Sequence, residues 1–124
     1  MCAERVRSDS GAVTAEAAFG IAILVLIALG LAWMVSLGVV AVRAQDAARE
    51  AVRALVRGEA APAAVALAEQ VATSGSTVTT STEGRLVRVT VRSPVRGPGG
   101  IFGFIGPVVL SGQAAGVVEG DGGG

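Results

Sequence analysis

The spacing of apolar and polar positions changes four times along the chain. Ala17 to Val42 is a run of 26 residues without an ionisable group. As a helix rising about 1.5 Å per residue it spans roughly 39 Å, more than the ~30 Å hydrocarbon core of a bilayer, so it can cross with tilt. From Arg43 the pattern becomes amphipathic: Ala44, Ala48, Ala51, Val52, Leu55 and Val56 recur at three-and-four spacing, with Arg43, Asp46, Arg49, Glu50, Arg53 and Arg57 between them. Asp46 and Arg49, and Glu50 and Arg53, are three apart and can pair, each pair contributing only about 0.2–0.5 kcal/mol. Gly58 stops this helix and Pro62 stands near the start of a second, whose apolar face is Ala64, Leu67, Ala68 and Val71 and which Gly75 closes.

Beyond Gly75 the period drops to two. Ser76 to Thr82 is almost entirely Ser and Thr, as in a polar edge strand, and Glu83-Gly84 turns the chain into Arg85 to Arg92. There Val87, Val89 and Val91 alternate with Arg88, Thr90 and Arg92, so one side faces a core and the other faces water. Pro94 to Gly100 reads as a loop, and Val108 to Glu119 as a last strand with Val108, Leu110, Ala114 and Val118 on one face. Gly120 to Gly124 reads as a disordered tail. The fold class expected is α+β: a single-pass N-terminal membrane helix continuing into an amphipathic helix, then a second short helix and a small antiparallel sheet of about three strands. The sheet is expected to rest against the helix from Arg43 to Arg57.

Composition removes several function classes. The chain has ten Arg, no Lys and ten acidic residues, for a formal net charge of zero, so no basic surface for nucleic acid is implied. It has no His and no Tyr, and its one cysteine, Cys2, excludes an intramolecular disulfide. A His-based triad and a His/Cys metal site are therefore unavailable, and the acidic residues stand singly, with no D-x-D cluster for a cation. Neither a cofactor nor an enzymatic reaction is expected.

One polar residue is set oddly. Glu16 stands directly against the uncharged run, within the first turn of the span, where a carboxylate costs more the deeper it lies, up to about 2.5–3.5 kcal/mol at a helix centre. The plain reading is that Glu16 is the last polar residue before the span, favoured by the positive end of the helix dipole. The spacing around it carries a second signal. A short polar leader, Met1 to Ser10, ends in Gly11, and counting from Ala12 puts Glu16 fifth, immediately before the apolar run. This resembles the type IV pilin processing site, in which a prepilin peptidase cuts after the glycine and the fifth mature residue is glutamate.

Within that superfamily the wording Gly11-Ala-Val-Thr-Ala-Glu-Ala-Ala-Phe19 and the small size are similar to the TadE-like minor pilins, or pseudopilins, of tight-adherence pilus systems. The motif covers Gly11 to Val42. Ala12 replaces the phenylalanine that begins mature major pilins, and Ala17 replaces the tyrosine that follows the glutamate in Flp-type subunits; both departures point to an accessory subunit. The resemblance implies residues 1–11 as leader, 12–42 as transmembrane and assembly helix, and 43–119 as a small extracytoplasmic domain, with 120–124 as tail. It implies Gly11 and Ala12 as the processing site, with Glu16 available to pair with the new ammonium of its own or a neighbouring subunit. The implied partners are the membrane, prepilin peptidase, and other pilin subunits with the pilus assembly machinery. The implied location is the bacterial inner membrane.

Three further features bear on that reading. Ala28, Ala32 and Ser36 recur every four residues and form the small-residue face on which membrane helices approach closely. Arg5 and Arg7 precede the span while Arg43, Arg49, Arg53 and Arg57 follow it, which taken literally would keep the C-terminal part in the cytoplasm. The downstream segment is about 82 residues long, however, and segments of that length translocate with little regard to charge. Gly100 to Gly106 carries Phe102 and Phe104, either as an exposed apolar loop that contacts a partner subunit or the membrane surface, or folded back to complete a small core. Two rival readings remain: a generic single-pass anchor for an envelope domain that binds other proteins, and a secreted domain released by signal peptidase after Ala44.

Overall fold

The computed structural model describes residues 2–100 and 103–119, with side chains from Asp9 onward. The fold is α+β, and its elements follow in the order α1 (Cys2–Val56), α2 (Ala61–Val71), β1 (Thr77–Glu83), β2 (Leu86–Val95), a 3₁₀ turn (Gly103–Ile105) and β3 (Val108–Val117). The chain divides into two compact units, Met1–Met34 and Val35–Gly124. The first is helix alone. The second holds the rest of α1 with α2 and the sheet.

In the first unit the large apolar side chains face outward, with Phe19 73% and Leu24 66% exposed. The protein thus contains a helix long and apolar enough to cross a membrane, and none of its most apolar window is buried. A core helix of a water-soluble protein would bury that face.

In the second unit α1 ends in a Schellman motif. Gly58 takes φ 89°, its N–H donates to the Leu55 carbonyl at 3.0 Å, and the Glu59 N–H donates to Ala54 at 3.1 Å, so two of the last carbonyls are satisfied. The Arg57 guanidinium folds back onto Glu59 at 2.9 Å. Of the two spaced pairs on the exposed face, Glu50 and Arg53 meet at 3.8 Å; Asp46 and Arg49 do not pair. Helix α2 starts from extended Ala60 with proline in its first positions.

Helix α2 stops at Val71, four residues before Gly75. Ala72 is extended, and the Thr73 carbonyl is taken by both the N–H and the hydroxyl of Ser76, at 3.1 and 2.5 Å. A local turn closed by a serine replaces the next turn of helix. Gly75, at φ 83°, belongs to that turn, and Val71 is left exposed rather than on the buried face with Ala64 and Ala68.

The three strands form one antiparallel sheet in the order β1-β2-β3. Glu83 pairs with Leu86 across a two-residue turn whose first residue, Gly84, has φ 60°, as a type II′ hairpin requires. Strand β2 runs through Pro94 to Val95, where a loop had been expected. The missing N–H explains why the proline is tolerated. Pro94 shares its parity with Thr90, which pairs with Gln113, and the Gln113 N–H points away from β2, so the main-chain groups at this parity of β2 point toward β1. Strand β1 begins at the Thr77–Arg92 pair, so no partner there is deprived of a bond.

The core is built from small residues. Ala44, Ala47, Ala48, Ala51, Val52 and Ala54 of α1, Ala64 and Ala68 of α2, and Val89 and Val91 of β2 form one buried cluster. Ala47 and Ala54 widen the expected stripe on α1, while Leu55 and Val56 are only half-buried. The expected packing of sheet on helix is present and unusually close. A Cβ built on Gly112 of β3 would collide with the backbone of Ala44 and Gln45, and one on Gly116 would lie 2.6 Å from Val52 Cγ1 and 3.0 Å from Val56 Cγ2. Gly112 and Gly116 pair with Val91 and Val87, so the face that buries the valines of β2 presents bare backbone from β3.

Candidate processing and assembly site

The junction from Gly11 to Glu16 lies within α1. Gly11, Ala12 and Glu16 are all exposed, and a Cβ on Gly11 would meet nothing within 4 Å. Thr14 Oγ1 donates to the Ser10 carbonyl at 2.9 Å, spanning the Gly11–Ala12 bond with a hydroxyl that doubles the ordinary i to i−4 helical link. Glycine in a helix interior is about 0.8–1.0 kcal/mol less favourable than alanine, so this is a weak point of the helix and the bond is open to solvent. No ion pair to Glu16 is present among the described residues.

In the uncut helix Glu16 is four turns from the start, and the dipole of the helix N-terminus, which acts within the first turn, does not reach it. Cleavage between Gly11 and Ala12 would change that at once. Four rises of about 1.5 Å would then separate Glu16 from a free ammonium along the axis, among the first unpaired backbone N–H groups.

The small-residue positions are also outward-facing. Ala28, Ala32 and Ser36 are exposed, and nearer the junction Ala15, Ala18, Phe19 and Ala22 form a shallow apolar depression on one helix face. At the other end of the chain, Phe104 sits in the 3₁₀ turn and is 82% exposed, with Ile105 48% exposed beside it. Phe104 therefore does not fold back into the core. Phe102 lies outside the described residues, as do residues 120–124.

Two polar features had no counterpart in the sequence reading. The Gln45 carboxamide reaches across to Gln113: its Nε2 donates to the Gln113 carbonyl at 2.7 Å and its Oε1 accepts the Gln113 N–H at 3.2 Å. One side chain thus mimics a passing strand and ties the free edge of β3 to α1. Sequence could have pointed to it only through the glutamine's place beside the apolar stripe. The second feature is Ser93, 1% exposed on the core face of β2, with its hydroxyl 2.6 Å from that of Ser76. Ser76 directs its single proton to the Thr73 carbonyl, so Ser93 donates to Ser76.

The outer face of the sheet carries Arg88 and Arg92, with Thr77, Thr79, Thr90 and Gln113 around Arg92 in a shallow polar depression. Among the described residues no group of three or more His, Cys, Asp or Glu is placed to hold a metal ion. Comparison of the chain with protein-family models, with curated proteins and with solved structures finds no match.

Proposed function

We propose that this chain is a TadE-like minor pilin, or pseudopilin, that takes part in tight-adherence pilus assembly after prepilin peptidase cuts the Gly11–Ala12 bond. The observation that carries the reading is the spacing of Gly11 and Glu16 immediately before an exposed apolar helix that continues into a small α+β domain. Cleavage gives Ala12 an ammonium, and that cation offsets the cost of holding a carboxylate at the membrane boundary, in its own subunit or a neighbour's. The helix that anchors the precursor then serves as the packing helix of an assembly, with Ala28, Ala32 and Ser36 as the face of closest approach. The protein is a component to be processed and assembled at the inner membrane, with its C-terminal domain outside the cytoplasm, and its partners are the peptidase and other pilin subunits.

Release of a secreted fragment by cleavage after Ala44 fits the molecule less well. Ala44 is fully buried in the middle of a continuous helix, with Gly112 seated on its backbone, and its removal would strip a turn from the domain's own core. The test is to express the protein with and without a prepilin peptidase and determine the mature N-terminus. A start at Ala12 that depends on the peptidase is expected; a start at Gln45, or an uncut chain in both strains, would refute the proposal.

A further inference from the structure

The second unit carries an apolar tip whose height on α1 can be worked out. Gly112 abuts Ala44 and Gln45, and Gly116 abuts Val52 and Val56, so β3 and α1 run in the same direction. The spacing agrees: four strand residues cover about 13 Å at ~3.3 Å each, and the eight to twelve helical residues from Ala44 to Val52 and Val56 cover about 12–18 Å at ~1.5 Å each. Counting back the same four strand residues from Gly112 sets Val108 at about the level of Val35. The loop from Gly103 to Pro107 feeds in at that end. Burial on the helix supports the placement. Leu37, Val40 and Ala41 continue the face of Ala44 and Ala48 and are half-buried, whereas Val35, Val39 and Val42 on the other faces are 68%, 50% and 60% exposed.

Val35 to Val42 are the last residues of the uncharged run. That run exceeds the hydrocarbon thickness by about 9 Å, or six residues. Val35 to Val42 close that run just before Arg43, so on the reading of α1 as a span they reach its far boundary, and the loop end, at the level of Val35, stands there with them. The chemistry at that end suits such a site. Phe104 and Ile105 are exposed apolar side chains on a tight turn, with exposed Val109 following at the edge of β3. The charged residues between Glu83 and Glu119 are Arg85, Arg88, Arg92 and Arg96, without one acid. Arg96 follows Val95, the partner of Val108, and so stands at the height of the tip; Arg92 pairs with Ser111 and so stands near the height of Arg43. Apolar side chains flanked by arginines are the composition of a segment that sits about 5–10 Å into the headgroup and acyl boundary, its basic groups drawn to an anionic surface.

We propose that the turn Gly103–Ile105 leading into β3 is a second membrane anchor, with Phe104 and Ile105 inserted at the acyl boundary and Arg96 paired with lipid phosphate. It ties the domain to the surface of the bilayer that α1 crosses, and it rests on the reading of α1 as a membrane span. The full chain, carrying Cys2→Ser, is labelled with a nitroxide at Gly103→Cys, a position with open space around it, so that Phe104 and Ile105 stay native. Labels at Glu83→Cys, on the distal hairpin, and Leu26→Cys, within the uncharged run, serve as references. In nanodiscs of phosphatidylcholine and phosphatidylglycerol, accessibility to oxygen relative to a water-soluble nickel complex should be several-fold higher at 103 than at 83, and should fall toward the value at 83 when Phe104→Asp and Ile105→Asp are added. A water-like label at 103 beside a lipid-like label at 26 overturns the loop anchor alone. Water-like labels at both overturn the membrane span as well. A label at 103 shielded from both reagents overturns the proposal in favour of contact with protein.

Discussion

Gly112→Ala tests the closest contact in the fold. The added methyl would collide with the main chain of Ala44 and Gln45, which cannot rotate aside as a side chain can, so α1 or β3 must move. Overpacking of a filled core costs about 1–3 kcal/mol. The displacement would also strain the neighbouring Gln45–Gln113 pair of hydrogen bonds, and loss of one of the two, a net contribution of about 0.5–1.5 kcal/mol, brings the total to about 2–4 kcal/mol. At a urea dependence of about 1 kcal/mol per M for a small domain, the midpoint should fall by about 2–4 M. Pulse proteolysis with trypsin on the full chain in detergent reads this directly, because Arg88 and Arg92 lie within the paired β2 strand and become cleavable on unfolding. Gly116→Ala meets only valine methyls, which can shift, and should lose about 1 kcal/mol. Gly99→Ala enters open space and is the reference. The expected order of loss is 112, then 116, then 99. Equal midpoints for Gly112→Ala and Gly99→Ala would refute the claim that backbone contact is what requires glycine at 112.

The other predictions concern polar groups. Gln45→Ala should cost about 1–2 kcal/mol, since two hydrogen bonds pass to water, and should speed amide exchange at Gln113 more than at Ala114; unchanged exchange at Gln113 would remove the clamp. Ser76→Ala leaves the buried Ser93 hydroxyl without its acceptor and should cost about 1–3 kcal/mol, with part of the loss recovered in the double variant Ser76→Ala, Ser93→Ala; a double variant as unstable as the sum of the singles would contradict the pairing. Glu16→Ala should leave membrane insertion intact but reduce assembly, and normal piliation by that variant would count heavily against a role for the carboxylate.

The elements were legible where local chemistry and periodicity agree. The valine alternation at 87, 89 and 91 announced β2, Glu83-Gly84 its hairpin, and Gly58 with Pro62 the break between helices. Two boundaries escaped, one for a reason that is not local and one in a serine turn beside a more conspicuous glycine. Pro94 looks like a strand breaker until the shorter length of β1 is known, and α2 ends where Ser76 captures the Thr73 carbonyl instead of at the more conspicuous Gly75. The close approach at Gly112 and the Gln45 clamp connect residues 68 apart, and nothing in either neighbourhood announces the other. The candidate site is the reverse case. Gly11, Ala12 and Glu16 were found by spacing alone, and the fold adds their exposure and the position of Glu16 far from the uncut helix terminus.

A core of alanine, glycine and valine has a thermal consequence. The heat-capacity change of unfolding comes chiefly from apolar surface newly hydrated, about 12–15 cal/mol/K per residue in ordinary domains. Here the largest fully buried side chains are Val89, Val91 and Ser93, so each residue hides less such surface. Calorimetry on the domain should return a value below that range. The stability curve is then broad and shallow, and the domain keeps much the same modest margin from cold to warm.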